Sequence, residues 1–236
     1  MTKKQVLSLA GVFILGCCLL LTASLAKKHR KAVEWDGTPY NIEKVNSFDS
    51  EMAQPYNETF DKLGDVGVMA AGGLVALAVI VAFFASLSKG ILKAFKVALI
   101  DSIYFGISGM YANSLYRILK TIVGRIRPYM YFPNSSEKGI AEGDFFRSWP
   151  SGHSANVFIA FGFLLTWFTV RYEESKFKKP LLSLIMLVCC ATMFLRLISG
   201  NHFFTDVISG AALGFLVSYG ISNLCYKIYG KEVNEI

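Results

Sequence analysis

Six apolar blocks alternate with polar segments along the chain of 236 residues. Each block is about 20 residues long, which is the length that an α-helix needs to cross the ~30 Å hydrocarbon core of a bilayer. The blocks cover residues 5–26, 66–86, 91–115, 154–170, 180–197 and 206–226. This pattern predicts an all-α integral membrane bundle of about six transmembrane helices.

Apart from one long stretch, the polar segments are short, so we expect a single membrane-embedded domain over residues 1–236. Within it, residues 1–26 form a first span or a signal peptide, 27–65 a polar and interfacial segment, and 66–226 a five-span core. The basic start and the small residues at the end of 1–26 also suit a cleaved signal peptide. We favour a retained helix, because its length suffices to span a membrane.

The sequence also predicts the structure of two polar segments and the partner of Asp101, a charged residue within an apolar block. Pro55 would interrupt a helix within 27–65, so two short interfacial helices are expected there. Residues 129–149 are rich in aromatic side chains, which settle at the headgroup level, and this loop is expected to form a lid or access rim. In the third block, Asp101 is expected to pair with Lys93 or Lys96 near the membrane surface.

Composition and charge narrow the class of protein. Hydrophobic residues make up 53% of the chain and charged residues 17%, which is too apolar for an ordinary soluble domain. The net charge of +7 arises from cations at the ends of apolar segments, so lipid headgroups rather than nucleic acid are the expected partner. The five cysteines lie within apolar runs and lack metal-ligand spacing, so neither a disulfide framework nor a metal site is expected.

Orientation follows from the basic connectors. Lysine and arginine are concentrated in residues 89–96 and 171–179, which share one side of the membrane with both chain ends if the number of spans is even. The positive-inside rule places that side in the cytoplasm. The chemistry-bearing segments described next would then face the periplasm or the exterior, and we expect a multi-pass protein of a bacterial cytoplasmic membrane.

The first such segment is KTIVGRIRP, residues 120–128. Lys120 and Arg127 are seven residues apart, so on a continuous helix they would share one face, with Gly124 between them leaving room for a phosphoryl group. Pro128 would end the helix. A juxtamembrane basic patch that holds lipid headgroups is the alternative interpretation.

The second segment is PSGH, which opens directly into the fourth apolar block. Ser151 is a natural N-cap, and the backbone N–H groups of residues 152–154 would point out of the helix start and attract an anion such as phosphate. Gly152 and the Ser151 hydroxyl would complete this cradle, and His153 beside it could donate a proton near neutral pH. A capped helix start without further function remains the alternative.

The third segment is RLISGNHFFTD, residues 196–206. His202 and Asp206 stand four residues apart, so the carboxylate could accept a hydrogen bond from one imidazole nitrogen and raise the nucleophilicity of the other. Arg196 could turn back to bind two phosphate oxygens. The alternative is a histidine that caps a helix start.

The spacing K-x6-RP, then PSGH, then R-x5-H-x3-D resembles the three-part signature of the type-2 phosphatidic acid phosphatase family, whose superfamily includes vanadium haloperoxidases and bacterial acid phosphatases. The resemblance covers residues 120–206 and, through the six-span layout, most of the chain. One departure is Leu195, where the family usually has a serine; it puts a secondary phosphate contact in doubt.

The resemblance implies a metal-independent lipid phosphate phosphatase without a cofactor. In it His202 attacks phosphorus and forms a phosphohistidine, Asp206 holds His202, and His153 protonates the leaving alkoxide. The phosphate oxygens would be bound by Lys120, Arg127, Ser151, Gly152 and Arg196. Candidate substrates are phosphatidylglycerol phosphate, phosphatidic acid, undecaprenyl pyrophosphate and lipid A. A non-catalytic protein that binds lipid phosphates is the alternative from another class; a haloperoxidase-type enzyme fits six apolar spans poorly.

Overall fold

The computed structural model describes residues 2–29 and 33–229, and within these ranges the chain is helical without strands. The helices are α1 (Lys3–Lys28), α2 (Ser47–Glu51), α3 (Glu58–Ser86), α4 (Ile91–Val123), α5 (Glu137–Ala141), α6 (Gly152–Arg171), α7 (Lys178–Ile198) and α8 (Phe204–Tyr229). Three 3-10 helices, Ile42–Lys44, Leu87–Lys89 and Pro128–Tyr131, join them.

Five of these helices, α1, α3, α6, α7 and α8, are long and apolar enough to cross a membrane. The remaining predicted span lies within α4, which has 33 residues but carries polar side chains along its middle, such as Asp101 and Asn113. The predicted all-α membrane bundle is confirmed. Polar side chains are tolerated there because Asp101 is fully buried and the half-buried Asn113 donates to the Gly109 carbonyl oxygen of the same helix.

The bundle is built around α6, which is buried along most of its length and packs against α3, α4, α7 and α8. Glycines on α8 allow the closest approach. A Cβ atom on Gly214 would lie 2.1 Å from the Ala155 carbonyl oxygen, and one on Gly210 would lie 2.3 Å from that of Ser151. Because only glycine fits at these two positions, the start of α6 is held directly against the start of α8.

The structure corrects the expectation for Asp101. Its fully buried carboxylate pairs with Arg171 Nε at 2.9 Å and accepts hydrogen bonds from Trp167 and Tyr226, each at 2.8 Å. The predicted ion pair with the lysines at the start of α4 is wrong, because Asp101 points into the bundle rather than along the surface of α4. A carboxylate at that depth needs several partners, and α6 and α8 supply them.

The irregular segment of residues 33–57 packs against the aromatic segment of residues 129–149. Residues 33–57 include the two short helices expected there, and residues 30–32 of the same predicted segment lie outside the described residues. The rings of Tyr129, Phe145 and Phe146 are buried and pack against Tyr56 and Trp35. The 33–57 segment therefore shields these three rings, and the expectation that the loop lies at the headgroup level as a lid or access rim stays a prediction.

The first helix packs along α4. Tyr111 donates a hydrogen bond to the Val12 carbonyl oxygen at 2.7 Å, and a Cβ on Gly16 would lie 2.3 Å from the Met110 side chain. This close packing suits a retained helix. Its retention in the mature protein stays a prediction.

Candidate active site

The three candidate segments meet at one end of the bundle. There the last turn of α4, the start of α6 and the α7–α8 connection surround a cavity of about 320 Å³. The predicted residues on its wall are Lys120, Arg127, Gly152, His153 and His202. A second cavity of about 190 Å³ shares Arg127 and His153 and adds Arg196. Ser151 and Asp206 are fully buried behind this surface.

The first segment does not form the continuous helix that its spacing suggested. Gly124 adopts a left-handed conformation with φ 63° and ψ 36°, and its N–H bonds to the Lys120 carbonyl oxygen at 3.3 Å. The helix therefore ends at Val123, as a left-handed glycine after the last turn dictates. Lys120 and Arg127 do not share a helix face, and Gly124 closes the helix rather than making room for a phosphoryl group.

Arg127 nevertheless reaches the cavity from the segment after α4. Its Nη1 atom donates to the Asn201 side-chain oxygen at 2.7 Å, its Nε atom donates to the Asp144 carbonyl oxygen at 2.9 Å, and its Nη2 atom pairs with the Asp144 carboxylate. Lys120 Nζ donates to the Arg147 carbonyl oxygen at 2.7 Å. These contacts tie the first segment to the loop before α6 and to the third segment.

The second segment begins α6 as predicted, but its hydroxyl group is used locally. Ser151 Oγ caps the helix by accepting from the Ser154 N–H at 3.3 Å, so that amide is not free for an anion. The Ser151 N–H in turn donates to the Asp206 carbonyl oxygen at 2.8 Å. A Cβ on Gly152 would lie 3.2 Å from the Tyr116 ring, so the absence of a side chain there lets α4 approach the helix start.

His202 and Asp206 lie close together without a direct hydrogen bond. The distance from His202 Nδ1 to Asp206 Oδ2 is 3.6 Å, which is too long for one. Ser148 Oγ donates to Asp206 Oδ2 and lies 3.5 Å from His202 Nδ1. The predicted pairing is therefore mediated by Ser148, partly because α8 begins at Phe204, after the histidine. With Nδ1 turned to this pair, Nε2 is the ring nitrogen left for the cavity.

The electrostatic surroundings keep the His202 imidazole neutral. The side chain is 2% exposed, and it lies near three of the predicted phosphate-binding cations. Burial, followed by the charges of Lys120, Arg127 and Arg196, lowers the pKa of His202 well below its ordinary value of 6.5. A neutral ring with a free nitrogen lone pair is the form of histidine that can act as a nucleophile.

Arg196 enters the site from the end of α7 and is held by α3. Its side chain is 1% exposed, and Nη1 pairs with Asp61 Oδ1 at 2.7 Å. The guanidinium passes over Gly64, where a Cβ would lie 2.6 Å from Nη1. The first turns of α3 therefore belong to the site, although none of the three segments includes them.

Sequence reasoning missed Arg125. Its guanidinium donates to Asp206 Oδ1 at 2.5 Å and to Asp49 Oδ2 at 2.7 Å, and both carboxylates are fully buried. As a third cation within KTIVGRIRP, Arg125 could have been noticed from the sequence. Asp49, in the short helix α2, and Ser148 carried no comparable signal, because their roles depend on folding of distant segments.

Within residues 2–29 and 33–229, no group of three or more histidine, cysteine, aspartate or glutamate side chains is arranged to hold a metal ion. The five cysteines are unpaired in the structure.

Comparison with known proteins identifies the family of the chain. The sequence profile described as "PAP2 superfamily" matches residues 101–231. A yeast protein, Lipid phosphate phosphatase 1 of Saccharomyces cerevisiae, is 41% identical over 84 residues, which cover 34% of this chain and 27% of the yeast protein. The chain thus matches little more than a quarter of that relative's length. No solved structure matches the chain. Since the profile spans more than half of the sequence and includes all three segments, the chain belongs to the PAP2 superfamily.

Proposed function

We propose that this membrane protein is a lipid phosphate phosphatase that hydrolyses a phosphomonoester or pyrophosphate of a lipid through a phosphohistidine intermediate. The observation that carries the proposal is the cavity at one end of the bundle, whose wall contains His153 and His202 together with Lys120 and Arg127. Two imidazoles and two cations around one space suit a tetrahedral anion and a proton transfer.

In the first step, His202 Nε2 attacks phosphorus in line with the leaving oxygen. A P–N bond forms, the P–O bond to the lipid breaks, and its electron pair stays on the leaving oxygen. The His202 Nδ1–H points to Ser148, which donates to Asp206, so this chain keeps the proton on Nδ1 and stabilises the positive charge that develops on the ring. The low pKa of His202 provides the unprotonated nitrogen.

His153 serves as the acid and then as the base. It gives a proton to the leaving alkoxide, which departs as the lipid alcohol. A water molecule then attacks the phosphohistidine and passes a proton to His153. The P–N bond breaks, its electron pair returns to His202 Nε2, and inorganic phosphate leaves.

Positive groups stabilise the phosphoryl oxygens as charge develops on them. Lys120 and Arg127 line the main cavity, Arg196 reaches it from the adjoining one, and the Gly152 N–H points out of the start of α6. Ser151 contributes by capping that helix, since its hydroxyl is buried. In the proposed mechanism these groups provide the charge neutralisation that a metal ion provides in other phosphatases, so the reaction is metal-independent.

The substrate belongs to the membrane. Five helices are long and apolar enough to cross a membrane, so a lipid could reach the cavity sideways between helices while its tails remain in the bilayer. The candidates are phosphatidylglycerol phosphate, phosphatidic acid, undecaprenyl pyrophosphate and lipid A. The positive-inside rule, applied to the basic connectors at the opposite end, supports a site on the non-cytoplasmic side, which in a bacterium would be the periplasmic face of the cytoplasmic membrane.

Phosphate release by purified protein in detergent, measured across that panel of lipids, tests the proposal. We expect turnover of at least one lipid, no turnover by His202→Ala, and an unchanged rate in EDTA. His29→Ala is the matched control, because this histidine is exposed and lies outside both cavities. Lipid phosphate binding without turnover by the wild-type protein would favour the non-catalytic alternative, and EDTA-sensitive turnover would contradict the metal-free mechanism.

A further inference from the structure

The first turns of α3 present two carboxylates to the site. Asp61 and Asp65 are one helical turn apart, so they project from the same face. Asp61 pairs with Arg196, and Asp65 Oδ1 lies 2.6 Å from His153 Nε2. Both aspartates lie outside residues 101–231, the range that matches the PAP2 profile. Each therefore contacts a proposed functional group without belonging to one of the three motifs.

Close packing of α3 against α7 sets the position of these carboxylates. A Cβ on Gly67 would lie 2.1 Å from Thr192 Oγ1, and one on Gly64 would lie 2.6 Å from Arg196 Nη1. Both glycines allow α3 to lie directly on the end of α7. Asp65, next to Gly64 in the sequence, is thereby held above the start of α6.

The contact between Asp65 and His153 is unlike a stabilising ion pair of the core. The Asp65 side chain is 63% exposed, and exposed pairs of this kind contribute little to folding. An ionised carboxylate can only accept a hydrogen bond, so the proton in this contact is on His153 Nε2. The contact thus selects the tautomer and the orientation of the ring rather than stabilising the fold.

We propose that Asp65 is a positioning residue for the acid–base step, forming with His153 a second histidine–carboxylate pair beside His202 and Asp206. This inference rests on the proposed phosphatase function. Asp65 holds the His153 ring in the orientation from which it passes a proton to the leaving oxygen when the P–O bond breaks.

The chemistry of this pair balances over one cycle. Before the first step, the His153 ring carries a proton on each nitrogen, and its Nε2–H bond is directed at Asp65 Oδ1. As the P–O bond breaks, the leaving oxygen accepts the proton from Nδ1, and the neutral ring keeps its Nε2–H bond to Asp65. In the second step a proton from the attacking water returns to Nδ1, so Asp65 holds the ring throughout the cycle. Asp65 gains and loses no proton itself.

Leaving-group dependence tests this role. An alkyl lipid phosphate needs a proton on its leaving oxygen, whereas nitrophenolate leaves an aryl phosphate without one. Phosphoryl transfer to His202 would be followed with both substrates in single-turnover experiments, as lipid alcohol or nitrophenol released in the first turnover. The variants are Asp65→Ala, Asp65→Asn, His153→Ala and the double variant Asp65→Ala/His153→Ala. Glu58→Gln is the matched control, since Glu58 is an exposed acid in the first turn of the same helix and pairs with Lys62.

We expect Asp65→Ala to slow the first turnover of the alkyl substrate by about 10–100-fold, and that of the aryl substrate by less than about threefold. The first value is at or below the lower end of the ~10²–10⁴-fold typical of acid–base catalysis, because His153 itself remains. Asp65→Asn, which keeps the size of the side chain but not its charge, should show the same selectivity. In the double variant, loss of Asp65 should add no further slowing to His153→Ala. Glu58→Gln should behave as wild type.

Equal slowing of both substrates by Asp65→Ala and Asp65→Asn would overturn the proposal, because it would indicate a general structural effect. Wild-type rates in both variants, or additive losses in the double variant, would overturn it as well. These outcomes are distinct from failure of the proposed function, in which the wild-type protein would release no product or His202→Ala would remain active.

Discussion

Removal of the Arg125 guanidinium should destabilise the end of the bundle that holds the candidate active site. Arg125 is the cation between two fully buried carboxylates, with Nη1 2.5 Å from Asp206 Oδ1 and Nη2 2.7 Å from Asp49 Oδ2. The Arg125→Ala variant leaves both carboxylates in place without their shared cation. The energetic penalty arises mainly from the uncompensated buried charges rather than from the lost contacts.

The structure sets the size of this effect. Breaking a buried ion pair by removing one partner destabilises a protein by about 3–5 kcal/mol. The lower end applies here, because the Arg125 side chain is 22% exposed and both carboxylates keep other donors, including Ser148 for Asp206 and Thr205 for Asp49. A loss of about 3 kcal/mol corresponds to a fall in Tm of roughly 6–12 °C for a chain of this size.

Thermal unfolding of the purified protein in detergent, followed by tryptophan fluorescence, measures this change. Arg125→Lys keeps the positive charge but cannot bind both carboxylates through two separate nitrogens, so its Tm should fall less than that of Arg125→Ala. Arg117→Ala is the matched control, an exposed arginine of α4 whose removal should change the free energy of unfolding by less than about 0.5 kcal/mol. In the double variant Arg125→Ala/Asp49→Asn, part of the loss should be recovered, because one uncompensated charge is removed.

A fall in Tm of less than about 2 °C for Arg125→Ala would refute this reasoning, since the expected penalty would be absent. So would strictly additive losses in the double variant, because residues that share one buried ion-pair network should be coupled.

Two further predictions concern the turn before α8 and His202, the proposed nucleophile. Gly200→Ala should lower the free energy of unfolding by about 2–4 kcal/mol, because Gly200 has φ +70° and a Cβ would lie 2.4 Å from the Pro55 carbonyl oxygen. The control is Gly220→Ala, which has no neighbour within 4 Å and should not destabilise the protein. Equal Tm values for the two variants would contradict this prediction. Burial lowers the pKa of His202, so the unfolded chain binds a proton below pH 6.5 that the folded chain excludes, and stability should fall as pH decreases from 6.5. Tm measured against pH should fall less steeply for His202→Asn than for wild type, and identical slopes would contradict the assignment.

The membrane bundle could be predicted from the sequence because its physical cause is local. A helix satisfies its backbone hydrogen bonds within itself, so a run of apolar residues of sufficient length is enough to indicate a span. The same holds for the start of α6, where Ser151 caps the helix that the PSGH segment predicts. The grouping of the three segments could be anticipated only through their resemblance to a known family.

Prediction failed where a residue's partners come from distant parts of the chain. The seven-residue spacing of Lys120 and Arg127 suggested one helix face, but the left-handed conformation of Gly124 ends the helix between them. Asp101 was assigned to nearby lysines, yet its partner is Arg171 on α6. Spacing along a helix describes neighbours on that helix alone, and it cannot show which other helix covers a given face.

The order of residues along the chain is enough to predict the membrane helices and the three groups of polar residues at their ends. Packing of the helices is what brings Ser148 between His202 and Asp206, and Arg125 between Asp206 and Asp49. Packing of α3 also brings Asp65 to His153. The physical reason is that a buried charge must be compensated by whichever groups the packed helices bring within about 3 Å, and that set depends on the close helix contacts made by glycines rather than on local spacing.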